Sequence, residues 1–195
     1  MPIPIPTLKA YEKTRVDRAI EDFAKIENPS IADLNRVKIQ ADIQDRIERY
    51  RFGAVEMTRQ QLREEAHSSQ RMAAYMERSA DSRPSPHCDC HAMISGKHAL
   101  AAPMRAIMAW SLMRIDDPRN GCWLPRNWDA RQHMPYWLKN AVPHQGLHNP
   151  KYYEWLNGKI NIDFIDGLDD LVTALRMVRM QLQSGVLPAE AWPKK

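Results

Sequence analysis

The sequence predicts an α+β protein, predominantly α, on three observations. The first 82 residues hold a single glycine, Gly53, no proline lies between Pro29 and Pro84, and Ala, Arg, Glu, Gln and Met dominate, a composition that favours helix. Two short apolar runs, residues 88–95 and 122–125, are closed by Ser95-Gly96 and by Pro125, which marks them as strands between turns. Near the C-terminus Leu168, Leu171, Val172, Leu175 and Leu182 recur at helical spacing, as on a helix that docks one apolar face on a core.

Taken in order, Ile20, Phe23 and Ile26 fall on one helical face. Ser30 with Asp33 three residues on reads as a capping box that starts a second helix. Ile31, Leu34, Ile43, Ile47 and Tyr50 give that helix an intermittent apolar face, and Gly53 marks its end. Residues 58–78 read as a polar helix, either solvated or an interaction arm. Asp81-Ser82-Arg83-Pro84-Ser85-Pro86-His87 cannot continue a helix. It divides the chain into a helical N-terminal region, residues 1–82, and a second domain, residues 83–195.

In that second domain residues 99–113 return to helix, with Leu100, Met104, Ile107, Met108 and Leu112 on one side. Asp116-Asp117-Pro118-Arg119-Asn120-Gly121 reads as a tight turn, in which Asn-Gly supplies a positive φ. The Asp116-Asp117 pair is read as turn chemistry. Cys122-Trp123-Leu124-Pro125 follows as a buried strand, and residues 143–155 as a histidine-bearing loop and helix. Asp166 caps the last helix, Gly185 ends it and Pro188 prevents its return.

Charge is distributed unevenly. Residues 1–82 carry 14 Lys+Arg and 14 Asp+Glu, residues 83–160 carry 10 and 5, and residues 161–195 carry 4 and 5. The basic middle segment also holds six of the seven histidines, all three cysteines and five of the six tryptophans. A basic segment dense in metal-capable side chains points to a polyanionic substrate. Three cysteines, two of them one residue apart, do not make a disulfide framework. No run approaches the ~18 apolar residues of a membrane span. The start, Met1-Pro2-Ile3-Pro4-Ile5-Pro6, has neither the charged nor the apolar region of a secretory signal.

The chemistry concentrates in His144-Gln145-Gly146-Leu147-His148. Histidines at i and i+4 on a helix can reach one cation. His91 stands about 50 residues upstream, on the first strand. The order is strand with histidine, turn, strand, helix with two histidines. A neutral imidazole can take a proton from water at pH 7. A divalent ion on the histidine pair would neutralise a scissile phosphate.

Residues 90–160 resemble the AHH family of the HNH/ββα-metal nucleases, found at the C-termini of bacterial polymorphic and type VI secretion toxins. The resemblance rests on Cys90-His91-Ala92-Met93-Ile94, then residues 101–107, then Asp117-Pro118-Arg119-Asn120-Gly121-Cys122-Trp123-Leu124-Pro125, then His144 to His148 with Tyr152-Tyr153. The family has a histidine doublet where this chain has one histidine, so two registers are open. If Cys90-His91 replaces the doublet, His91 is the general base and Cys90 can touch the metal. If His91-Ala92 replaces it, which fits the following Met-Ile better, His91 is the first histidine and the second is missing. His98 then supplies the absent imidazole, or Ala92 inactivates the enzyme, or the enzyme is weak.

The resemblance implies a ββα-metal core, a C-terminal docking helix and metal-dependent hydrolysis of phosphodiesters, with DNA as the expected substrate. It implies one divalent metal ion (Mg²⁺, Zn²⁺, Ni²⁺ or Mn²⁺) on His91, His144 and His148, with His91, His98 and Asn120 as catalytic candidates. Arg105, Arg119, Arg126 and Lys151 are the candidate nucleic-acid contacts. An immunity protein is the expected partner, and a secretion component or chaperone could grip the N-terminal region. The protein would be made in the cytoplasm, leave without a cleaved signal, and act in the cytoplasm of a target cell. Two other readings stay open: a nuclease of the same fold acting on RNA, and a non-catalytic module in which His87, Cys88, Asp89 and Cys90 help hold structural zinc. Trp110, Trp123, Trp128, Trp137 and Trp155 could stack on bases, but such residues more often fill a core.

Overall fold

In the computed structural model, the described residues are 13–79 and 81–194; the proline-rich start falls outside them. Helix α1 (Arg15–Ala24) lies against α2 (Ile31–Phe52), and each starts with a capping box, Thr14 with Asp17 and Ser30 with Asp33. Helix α2 ends at Gly53. Ile47 and Tyr50 of α2 are buried, whereas Ile31 and Leu34 at its start are exposed.

The single helix expected over residues 58–78 is two helices, α3 (Arg59–Glu64) and α4 (Ser69–Arg78). The break has a physical cause. Residues 65–68 leave the helical path so that Glu65, His67 and the Ser68 amide can meet residues 114–116 of the second half. Glu65 accepts from Arg114 Nη2 at 2.5 Å and from Arg71 at 3.4 Å. The Ser68 amide donates to Asp116 at 3.0 Å.

Strands β1 (Cys88–Ala92) and β2 (Gly121–Pro125) form an antiparallel pair with His91 opposite Cys122 and Ala92 opposite Gly121. Between them run a 3₁₀ turn at Ala99–Ala101 and α5 (Ala102–Trp110). Helix α5 stops earlier than expected, and Leu112 takes a left-handed backbone (φ 54°). Helix α6 (Pro150–Asn157) follows, and α7 (Leu168–Ser184) packs on β2. The molecule is mostly helical around one two-stranded sheet, and β1, β2 and α6 supply the expected ββα arrangement. No helix among the described residues is long and apolar enough to cross a membrane.

The core sits between the sheet, α4, α5, α6 and α7. Met72, Met76, Trp123, Leu124, Tyr152, Leu156, Leu171, Leu175 and Leu182 are all buried in it. Helix α4 therefore packs against β1, although it precedes residue 82. Helix α7 is held at its end by Gly185 (φ 74°), where a Cβ would stand 2.2 Å from the Asn140 carbonyl oxygen. Its start is capped at Gly167, and Asp166 lies outside the helix with its amide donating to Asp170.

The Asn120-Gly121 step differs from its expected role. Pro118–Asn120 form a 3₁₀ turn and Gly121 opens β2 with φ −99°, a backbone any residue adopts. Glycine is needed there for space: a Cβ would lie 2.4 Å from Met76 Sδ and 3.1 Å from Met72 Sδ. Gly121→Ala should therefore overpack the seam between α4 and the sheet. The expected cost is about 1–3 kcal/mol, seen as a Tm several degrees lower in a thermal melt. An unchanged Tm would show that the methionines yield freely.

Asp116 and Asp117 also do more than shape a turn. Both are buried. Asp117 caps the 3₁₀ turn through the Arg119 amide at 2.9 Å and pairs with the guanidinium groups of Arg119 and Arg51. Burial alone would raise its pKa, but Arg119 and Arg51 hold the carboxyl below its ordinary value. Asp116 accepts from Arg71 Nε at 2.6 Å, from the Ser68 amide and from His67 Nδ1. The two carboxylates tie the N-terminal helices to the second half of the chain.

Candidate metal centre

Three of the expected site residues converge. His91 lies on β1, buried among side chains. His144 and His148 come from the turn that precedes α6, not from a helix as the spacing suggested. Gly146 at φ 79° breaks any helical path between them, and Asn149-Pro150 start α6 only afterwards, with the Asn149 side chain capping the Tyr152 amide at 3.0 Å. The turn is pinned to the end of β2, where the His144 amide donates to the Pro125 carbonyl at 2.8 Å and the Gln145 amide to Arg126 at 2.9 Å. One ring nitrogen from each of His91, His144 and His148 lies within 4.8 Å of the others.

The hydrogen bonds leave one nitrogen of each ring free for a cation. Tyr152 donates its hydroxyl proton to the Met93 carbonyl at 2.8 Å and so can only accept from His91 Nε2, 3.3 Å away. His91 Nδ1 is then a lone pair, and it is a buried atom with no hydrogen-bond partner. A buried, unpartnered acceptor is costly unless an ion takes it up. His144 Nδ1 faces Asp89 Oδ2 at 3.4 Å; a carboxylate only accepts, so His144 Nε2 keeps its lone pair. His148 Nδ1 pairs with the Tyr153 hydroxyl at 2.7 Å, and donation from that nitrogen leaves Nε2 open. Outer-sphere partners of this kind fix the tautomers of metal-binding histidines. Three imidazoles suit a borderline divalent cation and leave positions for phosphate and water.

Electrostatics point the same way. Burial, then the charges of His148, His144 and His67, hold the His91 pKa well below its ordinary value of 6.5. Burial, then His144, His98 and His67, lower that of His148 to about 4. Both rings are neutral at pH 7, with lone pairs available. In the metal-free protein the sign is fixed. Above pH 6.5 neither folded nor unfolded chain protonates these rings. Below it the unfolded chain takes up protons that the folded one refuses, so stability falls as pH drops from about 6.5 toward 4. Denaturant midpoints taken in chelator at pH 7.5 and pH 5 should show the loss, and His148→Gln should reduce it. Equal midpoints would contradict these burial effects.

The other expected residues divide. Asn120 is buried and fully used: it accepts from the Ile94 amide at 2.9 Å and donates to the Ile94 and Ile115 carbonyls at 3.1 and 2.9 Å. It fixes the segment that leaves β1 beyond the site. His98 lies against Tyr153 (ring centroids 4.4 Å), which in turn lies against His148, and it is not one of the three converging ligands. Arg105 turns inward and donates to the Ser95 and His98 carbonyls at 2.9 Å. Arg119 is held by Asp117. Arg126 is more open and pairs with Asp89, the carboxylate behind His144, while Lys151 is exposed beside Glu154.

Cys90 does not reach the cluster. Its sulfur lies 3.5 Å from Met76 Sδ in the core, and burial pushes its thiol up to about 12. Cys88 likewise lies 3.3 Å from Met134 Sδ, and burial raises its thiol to about 11. Among the described residues, the group of histidines, cysteines and carboxylates assembled to hold a metal is the histidine trio, with neither cysteine in it. Of the tryptophans, Trp123 is fully buried and donates to the Asp81 carbonyl, whereas Trp110 and Trp137 are exposed.

Sequence reasoning passed over His67 and Glu65. Their partners lie 49 residues away, and nothing in local periodicity announces such pairs. Tyr152 and Tyr153, which in the sequence are aromatic residues following the histidines, both bond to site imidazoles.

No curated protein and no solved structure matches this chain. Residues 72–171, half of the chain, match AHH, described as a nuclease family of the HNH/ENDO VII superfamily with conserved AHH. That span begins inside α4 and takes in both strands, all three converging histidines and α6. The chain belongs to the AHH nuclease family of the HNH/ENDO VII superfamily, and its chemistry is phosphodiester hydrolysis.

Proposed function

We propose that the protein is a metal-dependent endonuclease that cuts DNA and serves as the toxic domain of an interbacterial competition system. The observation that carries the nuclease reading is the unpartnered Nδ1 of His91, buried where His144 and His148 converge. His91, His144 and His148 would hold one divalent ion. Bound there, such an ion polarises a scissile phosphate and stabilises the leaving oxygen. The chain's own groups do the rest. Asp89, Tyr152 and Tyr153 orient the three imidazoles, and Asn120 fixes the backbone that follows His91. Arg126 and Lys151 offer exposed positive charge to the phosphate backbone.

Support for DNA and for the toxin role is the resemblance of residues 90–160 to secreted toxin nucleases, with the net charge of +5 over residues 83–160. In that setting an immunity protein would cover the site in the producing cell. Helices α1 and α2 leave Ile20, Ile31, Leu34, Ile39 and Phe52 exposed, a surface suited to a secretion component or chaperone. The protein would be made in the cytoplasm and act in the cytoplasm of the target cell.

The test is incubation of the protein with supercoiled plasmid and with total RNA, in Mg²⁺, Mn²⁺, Ni²⁺ or Zn²⁺ and in chelator. Metal-dependent nicking of plasmid, abolished by chelator, is the expected result. Degradation of RNA alone would transfer the reading to an RNase. Cleavage of neither, by this chain or by Ala92→His, would leave the metal-stabilised binding module.

A further inference from the structure

Residues 1–82 carry as many acidic as basic side chains, yet the fold concentrates positive charge at one place among them. Arg15 opens α1, Arg51 lies in the last turn of α2 and Arg78 closes α4. These three arginines, far apart in the sequence, line one cavity of about 250 Å³. Ile43 and Ile47 of α2 give it an apolar side, and Glu48 stands beside them.

Two of the guanidinium groups are lightly held. Arg15 donates from Nη1 to the Arg78 carbonyl at 3.4 Å, a contact that joins the start of α1 to the end of α4. Neither Arg15 nor Arg78 pairs with a carboxylate among the described residues, whereas Arg36, Arg49 and Arg71 of the same half each do. Arg51 is held by Asp117 through Nε and Nη2. A guanidinium carries five N–H donors, so most of those around the cavity have no protein acceptor. Glu48 Oε1 accepts from Gln44 Nε2 at 2.9 Å, and a carboxylate has about four lone-pair sites, so Glu48 can accept again.

These features select a ligand. Guanidinium groups brought in from separate helices match an oxyanion with several acceptors, and phosphate suits their forked geometry. The space exceeds what a lone phosphate fills. At about 30 Å³ per water, 250 Å³ is room for roughly eight waters. The rest of the cavity offers an apolar side and a carboxylate acceptor, which fit a flat heterocycle with N–H groups on its edge.

We propose that this cavity binds a nucleoside phosphate, with the phosphate on Arg15 and Arg78, the base over Ile43 and Ile47, and the base N–H groups on Glu48. The site shares no residue with the histidine trio, so it stands whether or not the nuclease reading does. A ligand held by α1, α2 and α4 together braces the N-terminal helices, and its binding raises the stability of the fold. The same chemistry has two sources, a free mononucleotide and the phosphorylated end of a strand.

The test is titration calorimetry with thermal melts, on the protein as it stands and in chelator, so that neither metal binding nor cleavage contributes. The probes are guanosine monophosphate, guanosine, inorganic phosphate and a 5′-phosphorylated trinucleotide. Guanosine monophosphate is expected to bind once per chain and to raise Tm by about 5–10 °C at a hundredfold excess over Kd. Guanosine and inorganic phosphate should each bind at least about tenfold more weakly. Arg15→Gln and Arg78→Gln should each cost at least about tenfold in affinity for guanosine monophosphate, with the ligand-free Tm close to that of the parent. Glu48→Gln should weaken the nucleotide and leave inorganic phosphate unchanged, and His148→Ala should change neither. Trinucleotide affinity equal to that of the mononucleotide identifies a strand end as the ligand; binding of the mononucleotide alone identifies the free nucleotide. The proposal is overturned if guanosine monophosphate does not bind saturably, if guanosine or inorganic phosphate binds equally well, or if Arg15→Gln and Arg78→Gln bind it as the parent does. Loss of binding in His148→Ala would also overturn it, because the ligand would then sit at the histidine trio.

Discussion

Replacing His148 with alanine is expected to reduce nucleic-acid cleavage by more than about 100-fold and to weaken divalent-metal binding by a similar factor. Losing an outer-sphere partner of a metal site already costs about 10–100-fold, and removing a ligand should exceed that. His148 is the ligand best suited to the test. His91 is wholly buried between β1 and α6, so its truncation would also leave a cavity, whereas His148 stands in a turn whose backbone is held by Gly146, Asn149 and the end of β2. Its removal also lifts a burden, since a ring held neutral by burial no longer resists protonation below pH 6.5. His148→Ala should therefore be inactive yet no less stable than its parent at pH 5 in chelator. Activity within a few-fold of the parent would mean that the cation sits elsewhere. Tyr153→Phe, which removes only the hydroxyl behind His148, should give a smaller loss in the same direction.

Asp116→Ala should produce the largest stability loss of any single surface-to-core contact described above. Its carboxylate is fully buried and accepts from His67, from the Ser68 amide at the start of α4 and from Arg71. Alanine leaves His67 Nδ1 and the Ser68 amide without their acceptor and Arg71 with only Glu65 and the Ala66 carbonyl. Breaking a buried charge pair by removing one partner costs about 3–5 kcal/mol, and the partly exposed Arg71 places the effect toward the lower figure. Against a total of about 5–15 kcal/mol, that is enough to loosen the docking of residues 65–78 on the nuclease half. Thermal melts should show a drop of about 6–12 °C, on the scale of 2–4 °C per kcal/mol for chains of this size. A loss below 1 kcal/mol would show that the network between the two halves is a surface decoration. Asp116→Asn keeps an acceptor for the Ser68 amide and should lie between the two.

Much of this was legible because it is local. The strand character of Cys88 to Ala92 and Gly121 to Pro125 lies in runs bounded by prolines and glycines. The face of α7 repeats every three or four residues. The histidine trio was legible as a set of residue types in a known order, whatever backbone carried them. Its backbone was not, because i, i+4 spacing suits a helix while Gly146 and the Asn149-Pro150 start of α6 impose a turn. The same pair converges through the left-handed glycine and the pinning to β2. What could not be read was the clamp of Glu65, His67, Asp116 and Asp117. Ion pairs some 50 residues apart leave no periodic trace, and Asp-Asp-Pro is as good a turn signal as any. Gly121 differs for a related reason: it answers to a close neighbour in space, Met76, not to a backbone angle.

The most direct measurement is X-ray absorption on the zinc-loaded protein. If His91, His144 and His148 hold the ion, the spectrum will show one zinc per chain with three imidazole nitrogens at about 2.0–2.1 Å, falling to two in His148→Ala. Sulfur at about 2.3 Å, which only Cys88, Cys90, Cys122 or a methionine could supply, or no stoichiometric zinc at all, would contradict it.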